Sequence, residues 1–219
     1  MPKKIRKVFD QDGLLAQVIS GYTPREPQIQ MAEGVAEAVK LKQTLIVEAG
    51  TGTGKTFAYL APAFASTGKA IISTGTKNLQ EQLFHRDLPV VRDAMSSHKL
   101  VALLKGRSNY LCKFRMDQYG KTNRGLDKAQ LMELTTVRSW AEGTSSGDMG
   151  ELKALPENAK ILPFVTSTVD NCLGRDCPDY EDCYLVKARR KALDADIIVV
   201  NHHLFFADMA LKDTGFGEL

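Results

Sequence analysis

The stretch VEAGTGTGKT, Val47 through Thr56, decides how this chain is read. The apolar run Leu45–Val47 leads into a glycine-rich turn that ends in Lys55 and Thr56. Gly50, Gly52 and Gly54 can take backbone angles that a side chain would forbid, so successive N–H groups can point inward at phosphate oxygens. Lys55 adds a point charge for the outer phosphates, and the Thr56 hydroxyl can serve as a Mg²⁺ ligand. A helix beginning near Lys55 would direct its positive end at the same anion. With Ala49, Thr51 and Thr53 completing the loop, the segment is expected to cradle the phosphates of a nucleoside triphosphate with Mg²⁺. Ala49 stands where the general pattern asks for Gly.

The plain alternative is a glycine-rich turn with a chance Lys-Thr. The flanking sequence argues against it, because this motif needs a strand before and a helix after. Thr44–Val47 has the character of a buried parallel strand. Phe57, Tyr59, Leu60 and Phe64 follow at spacings that a packed helix buries, with Pro62 expected to bend or shorten it.

Composition narrows the class. At 219 residues, 43% apolar and 25% charged, the chain has the make-up of an ordinary globular protein with a proper core. A formal charge of +3 is too small to imply nucleic-acid binding by itself, so any basic surface must be local. Lys3, Lys4, Arg6 and Lys7 form a basic start, expected to be a disordered tail over residues 1–13. No apolar run reaches transmembrane length and no signal-peptide core follows the basic start, so no membrane partner and a cytoplasmic location are expected.

Three β-rich runs, Thr44–Val47, Ala70–Thr74 and Leu100–Leu104, alternate with helical patterns and predict βαβ units around a parallel sheet. A fourth, Ile197–Val200, comes only after a long detour. Between Lys105 and Lys191 the pattern changes: Leu126–Trp140 reads as a helix, 142–150 as a Gly/Ser-rich loop, and 172–184 as a short polar, cysteine-bearing segment. The expected organisation is an α/β nucleotide-binding domain over 14–105, an insertion over 106–191, and a return to the sheet over 192–219. ATP hydrolysis at such a loop needs an acidic residue at the end of a neighbouring strand. No apolar run here ends in an acidic pair; Ile197–Val200 runs instead into Asn201, His202 and His203.

The four cysteines are Cys112, Cys172, Cys177 and Cys183, the last three lying within a dozen polar residues. In a reducing compartment such a set suits a metal better than disulfides. Four thiolates are the ligand set of a structural zinc or of an iron–sulfur cluster. Their wide, unequal spacing fits a [4Fe–4S] cluster better than zinc, whose ribbons use closely spaced pairs.

Several stretches together resemble one family. They are YTPREPQIQM (22–31), AGTGTGKT (49–56), STGTKNLQEQL (73–83), LKGRSNYLC (103–112), DNCLGRDCPDYEDC (170–183) and VVNHHLF (199–205). The likeness is to the XPD-like iron–sulfur DNA helicases of superfamily 2, in their bacterial DinG/YoaA branch, and runs from about Leu14 to Leu219. The form AxTGTGKT, with Ala49 in first place, is one many helicases use.

The resemblance implies a RecA-like P-loop domain interrupted by a mainly helical iron–sulfur insertion. It implies ATP-dependent unwinding of single-stranded and forked DNA substrates with 5′→3′ polarity, alongside repair or replication proteins. Gln28, with Arg25, would read the adenine edge, with Gln30 as a rival. Ser73 to Thr76, including Thr74 and Thr76, would contact the DNA backbone, although Thr76 could equally cap the following helix. Cys112, Cys172, Cys177 and Cys183 would hold the cluster. Arg107 and Tyr110 would border the DNA path, where a cation and an aromatic can engage phosphate and base; packing is the rival role for Tyr110. A DEAH box is expected shortly after Leu219, followed by a second lobe, so this chain alone is expected to be inactive as a motor. Two other readings remain: a non-hydrolysing module that binds ATP and single-stranded DNA, and a zinc-stabilised P-loop protein.

Overall fold

A computed structural model describes residues 2–122, 127–156 and 158–213. The helices and strands, in chain order, are α1 (Pro2–Phe9), α2 (Leu14–Val18), α3 (Glu26–Leu41), α4 (Lys55–Ala65), β1 (Ala70–Thr74), α5 (Lys77–Gln82), α6 (Leu88–Ala94), β2 (Val101–Leu103), α7 (Lys113–Thr122), α8 (Lys128–Ala141), α9 (Leu162–Val165), α10 (Tyr184–Asp194), β3 (Ile197–Asn201) and α11 (His202–Asp213). They divide into two compact units. One takes the chain up to Leu103 together with the residues from Asp194 onward; the other is Leu104–Leu193.

The first unit is built on a parallel sheet with strand order β1-β3-β2. β3 is the central strand. Its run Ile197, Ile198, Val199 and Val200 is buried throughout, as a parallel strand covered on both faces requires. Asp196 sets the register just before it: its carboxylate accepts the Leu100 N–H at 2.8 Å, and its own N–H reaches the Leu100 carbonyl at 2.9 Å. In this register Ala70 and Val101 both lie beside Ile197.

Helices complete the core. α3 turns Gln28, Ile29, Ala32 and Ala36 inward, a helical stripe that packs against α4. α3 ends on Lys42 in the left-handed conformation, φ 55°. α4 carries Pro62 and stops at Ala65, where the Ser66 N–H reaches back to the Pro62 carbonyl at 2.9 Å. α5 passes through a π-helical turn, Leu83–Asp87, into α6.

Two expectations for this unit are corrected. The basic start is not a disordered tail. Pro2–Phe9 is helical, with Ile5, Val8 and Phe9 buried in the main core. Spacing of three and four residues places these apolar positions on one helical face, while Arg6 remains outside and pairs with Glu26 and Glu33. Thr44–Val47 is not a strand. It has no regular structure, and Ile46 is 92% exposed. A parallel strand needs a ladder partner, and among the described residues no strand pairs with this segment.

The second unit is mainly helical and has its own core, in which Leu111, Val137, Ile161 and Val165 are fully buried. The helix expected over Leu126–Trp140 is α8, Lys128–Ala141; Leu126 lies outside the described residues. α8 begins with a reciprocal capping box. The Asp127 carboxylate accepts the Gln130 N–H at 2.8 Å, and the Gln130 side chain accepts the Asp127 N–H at 3.1 Å. Between α7 and α9 the rings of Tyr119 and Phe164 stack at 4.5 Å. Two isolated antiparallel bridges, Tyr110 with Asp148 and Leu111 with Thr166, tie the segment before α7 to the rest of the unit.

Candidate functional site

The phosphate loop spans 49–54 and runs directly into α4, so the helix N-terminus opens onto it. Gly52 and Gly54 have φ of 79° and 81°, in the left-handed region that favours glycine. Gly54 also needs the absence of a Cβ, which would collide with the Gln28 amide. Lys55 folds back over the loop, its Nζ donating to the carbonyls of Ala49 at 2.8 Å and Gly50 at 2.7 Å. The Thr53 hydroxyl donates to the Gly50 carbonyl at 2.9 Å. Thr51 is exposed, and Thr56 sits half-buried in the first turn of α4.

Arg25 and Gln28 join this loop. The Arg25 guanidinium donates to the Gly52 carbonyl. Gln28 is 4% exposed and donates to the Gly54 carbonyl at 2.9 Å. Its carbonyl oxygen accepts the Tyr22 hydroxyl at 3.5 Å, and Tyr22 also donates to the Phe9 carbonyl at 3.2 Å. The RxxQ pair therefore braces the loop from behind. Gln30 is exposed.

A second cluster of polar groups gathers at the carboxyl ends of β1 and β3. The Thr76 hydroxyl caps α5, accepting the Leu79 N–H at 3.2 Å. The Thr74 hydroxyl donates to the Thr76 carbonyl at 3.3 Å. The Ser73 hydroxyl lies 2.7 Å from His202 Nδ1. His202 and His203 open α11 rather than continuing the strand, because the Asn201 side chain accepts the Leu204 N–H at 2.7 Å and starts the helix.

All four cysteines belong to the second unit, are free and are half-buried. The Cys172 sulfur accepts from the Arg107 guanidinium at 2.8 Å and from the Gly174 N–H at 3.4 Å. Burial pushes the Cys112 thiol up, and the charges of Cys183, Cys177 and Cys172 push it further, against a lowering backbone hydrogen bond at Arg115. Among the described residues, no three His, Cys, Asp or Glu side chains are grouped to hold a metal ion.

Tyr110 is read from the sequence both as a residue bordering the DNA path and as a packing residue. It is 5% exposed, packed in the core of the unit, and its hydroxyl accepts the Lys105 N–H at 3.1 Å. Neither Lys105 nor Asp148 was singled out in the sequence. They form an ion pair at 2.5 Å with side chains only 7% and 8% exposed. The one available signal was a lysine directly after the apolar run Val101–Leu104.

The DEAD/DEAH box helicase family matches this chain over residues 28–116. The chain is 54% identical over 216 residues to the ATP-dependent DNA helicase YoaA of Haemophilus influenzae, covering 99% of this chain and 34% of that protein. To the Escherichia coli protein of the same name it is 55% identical over 211 residues, covering 96% of this chain and 33% of the relative. It is 33% identical over 203 residues to the Bacillus subtilis protein named 3′-5′ exonuclease DinG, covering 89% of this chain and 21% of that protein. The family match ends at residue 116, while the similarity to the YoaA and DinG proteins extends over nearly the whole length of this chain. It spans about a third of the length of the YoaA relatives. Among the described residues no helix is long and apolar enough to cross a membrane.

Proposed function

We propose that this chain is the ATP-binding lobe of an ATP-dependent 5′→3′ DNA helicase that acts in DNA repair or replication in the bacterial cytoplasm. The observation that carries the reading is the phosphate loop, braced by Arg25 and Gln28 and opening onto the N-terminus of α4. The triphosphate of ATP would draw Lys55 away from the Ala49 and Gly50 carbonyls and take up the loop N–H groups of 50–54. Thr56 would then hold Mg²⁺. The hydroxyls of Thr74, at the end of β1, and of Thr76, at the start of α5, are suited to contacts with a DNA backbone, single-stranded or at a fork.

The cysteines are proposed as ligands of a [4Fe–4S] cluster, with zinc as the less fitting occupant. The donor chemistry fits: four half-buried thiols in one unit, with the sulfur of Cys172 already accepting two N–H groups, as cluster sulfurs commonly do. A cluster takes its thiolates at separate corners, so they need not converge on one point as they do around zinc. Bound there, it would cross-link the segment at Cys112 to the segment 172–183. Arg107 would serve the Cys172 sulfur first, with its remaining donors free to face a phosphate.

Among the described residues no strand ends in an acidic residue; β1 closes on Thr74, β2 on Leu103 and β3 on Asn201. Without a carboxylate to help hold Mg²⁺ and position water, this chain by itself binds ATP without turning it over. The test is equilibrium binding of a fluorescent ATP analogue together with a phosphate-release assay. Mg²⁺-dependent binding that Lys55→Ala removes, with no hydrolysis, supports the reading. Failure of the chain to bind nucleotide contradicts it, and so does DNA-stimulated hydrolysis that Lys55→Ala abolishes.

A further inference from the structure

We propose that the buried Lys105–Asp148 ion pair positions Cys112. The inference rests on reading Cys112 as a cluster ligand, but its geometry stands apart from that reading. Burying two charges costs several kcal/mol per ion unless each is well paired, so an apolar pair of similar volume would serve stability as well or better. The polar pair therefore specifies an arrangement. The Asp148 carboxylate receives Lys105 Nζ at 2.5 Å on one oxygen and the Gly150 N–H at 2.9 Å on the other, which fixes the turn 147–150. Gly150 has little room for a side chain, since a Cβ would stand 3.2 Å from Asp148 Oδ1 and 3.3 Å from Lys105 Nζ.

That turn holds the ligand-bearing strand. The Gly147 carbonyl accepts the Leu111 N–H at 2.8 Å, and Asp148 bridges Tyr110. Gly147 has φ 63°, and a Cβ there would collide with the Tyr184 ring, so the carbonyl is presented by a glycine in a conformation other residues resist. From the other end, the Lys105 N–H donates to the Tyr110 hydroxyl. Lys105 and Asp148 thus grip Tyr110 and Leu111 from both sides. The next residue is Cys112, whose own N–H is tied to the Val165 carbonyl at 2.7 Å. The pair is a positioning device that acts through Tyr110 and Leu111, the residues just before the thiol it places.

The test is pulse alkylation with iodoacetamide of the full 219-residue chain after metal chelation, at fixed pH, with mass spectrometry reporting each cysteine separately. Lys105→Met is expected to raise labelling of Cys112 at least about tenfold relative to Cys172, Cys177 and Cys183, the change that about 1.4 kcal/mol of lost local ordering produces. The double variant Lys105→Met/Asp148→Leu removes the buried charges and keeps the fold, yet lacks the acceptor that orders the turn; Cys112 is expected to stay fast while the melting temperature recovers. An unchanged Cys112 rate in Lys105→Met overturns the proposal. So does a uniform rise at all four cysteines, or a double variant whose Cys112 returns to the parental rate. A parallel iron and sulfide reconstitution of the unmutated chain separates the two readings. No cluster, with the Cys112 contrast intact, sinks the cluster and leaves the positioning.

Discussion

Gln28 donates its side-chain amide to the carbonyl of Gly54, the last glycine of the phosphate loop, at 2.9 Å. The contact is so close that Gly54 cannot carry a Cβ without striking that amide. The residue expected to read a base thus braces the loop proposed to hold the phosphates. Gln28→Ala is predicted to weaken ATP-analogue binding about tenfold, corresponding to about 1.4 kcal/mol, with the secondary structure kept. Gly54→Ala is predicted to cost more, because it combines the collision with a left-handed φ. Isothermal titration of both variants checks the order.

Phe9 is fully buried in the core of the first unit. Phe9→Ala is predicted to destabilise that unit by about 3–5 kcal/mol, the cost of emptying a large aromatic site. Urea unfolding followed by circular dichroism reads this directly. A loss below about 0.5 kcal/mol, the usual scale for exposed positions, would mean that the basic start is a solvated tail after all.

Ile46 provides the converse case. At 92% exposure and outside the sheet, its replacement by Glu is predicted to change stability by no more than about 0.5 kcal/mol. A cost of several kcal/mol would show that Thr44–Val47 is buried in solution.

Asp127 and Gln130 close the first turn of α8 reciprocally. Asp127→Ala is predicted to cost about 1 kcal/mol, and Asp127→Asn less, since an amide oxygen can still accept the Gln130 N–H. Thermal melts of the two variants, compared side by side, test the difference.

The sequence made the strongest elements legible where a single physical cause dominated. β3 was visible as Ile197–Val200 because a strand buried on both faces is a continuous apolar run, and β1 coincides with the expected Ala70–Thr74 although none of its residues is fully buried. The same criterion failed at Thr44–Val47. An apolar run is necessary for a buried strand, but pairing depends on a neighbour that local sequence does not reveal. In α1 the cations concealed a regular stripe of Ile5, Val8 and Phe9, since charge drew attention that spacing should have received. The helix opening at Lys55 appeared as expected, but Gln28's bond to Gly54 joins positions 26 apart and became visible only once α3 and the loop were in place. Tyr110 and the Lys105–Asp148 pair illustrate the same limit. Lys105 meets Asp148 only through tertiary packing, and the Tyr110 hydroxyl meets the Lys105 N–H only once Tyr110 is packed in the core; no periodicity encodes either contact.

The cluster is the claim that sets this chain apart from other phosphate-loop proteins, and its most direct test is an iron and acid-labile sulfide assay with a visible absorption spectrum. It would be run on anaerobically purified chain and on its Cys177→Ser variant. The account predicts a brown protein with about four irons per chain, whose colour is lost in the variant. A colourless protein holding about one zinc would contradict it.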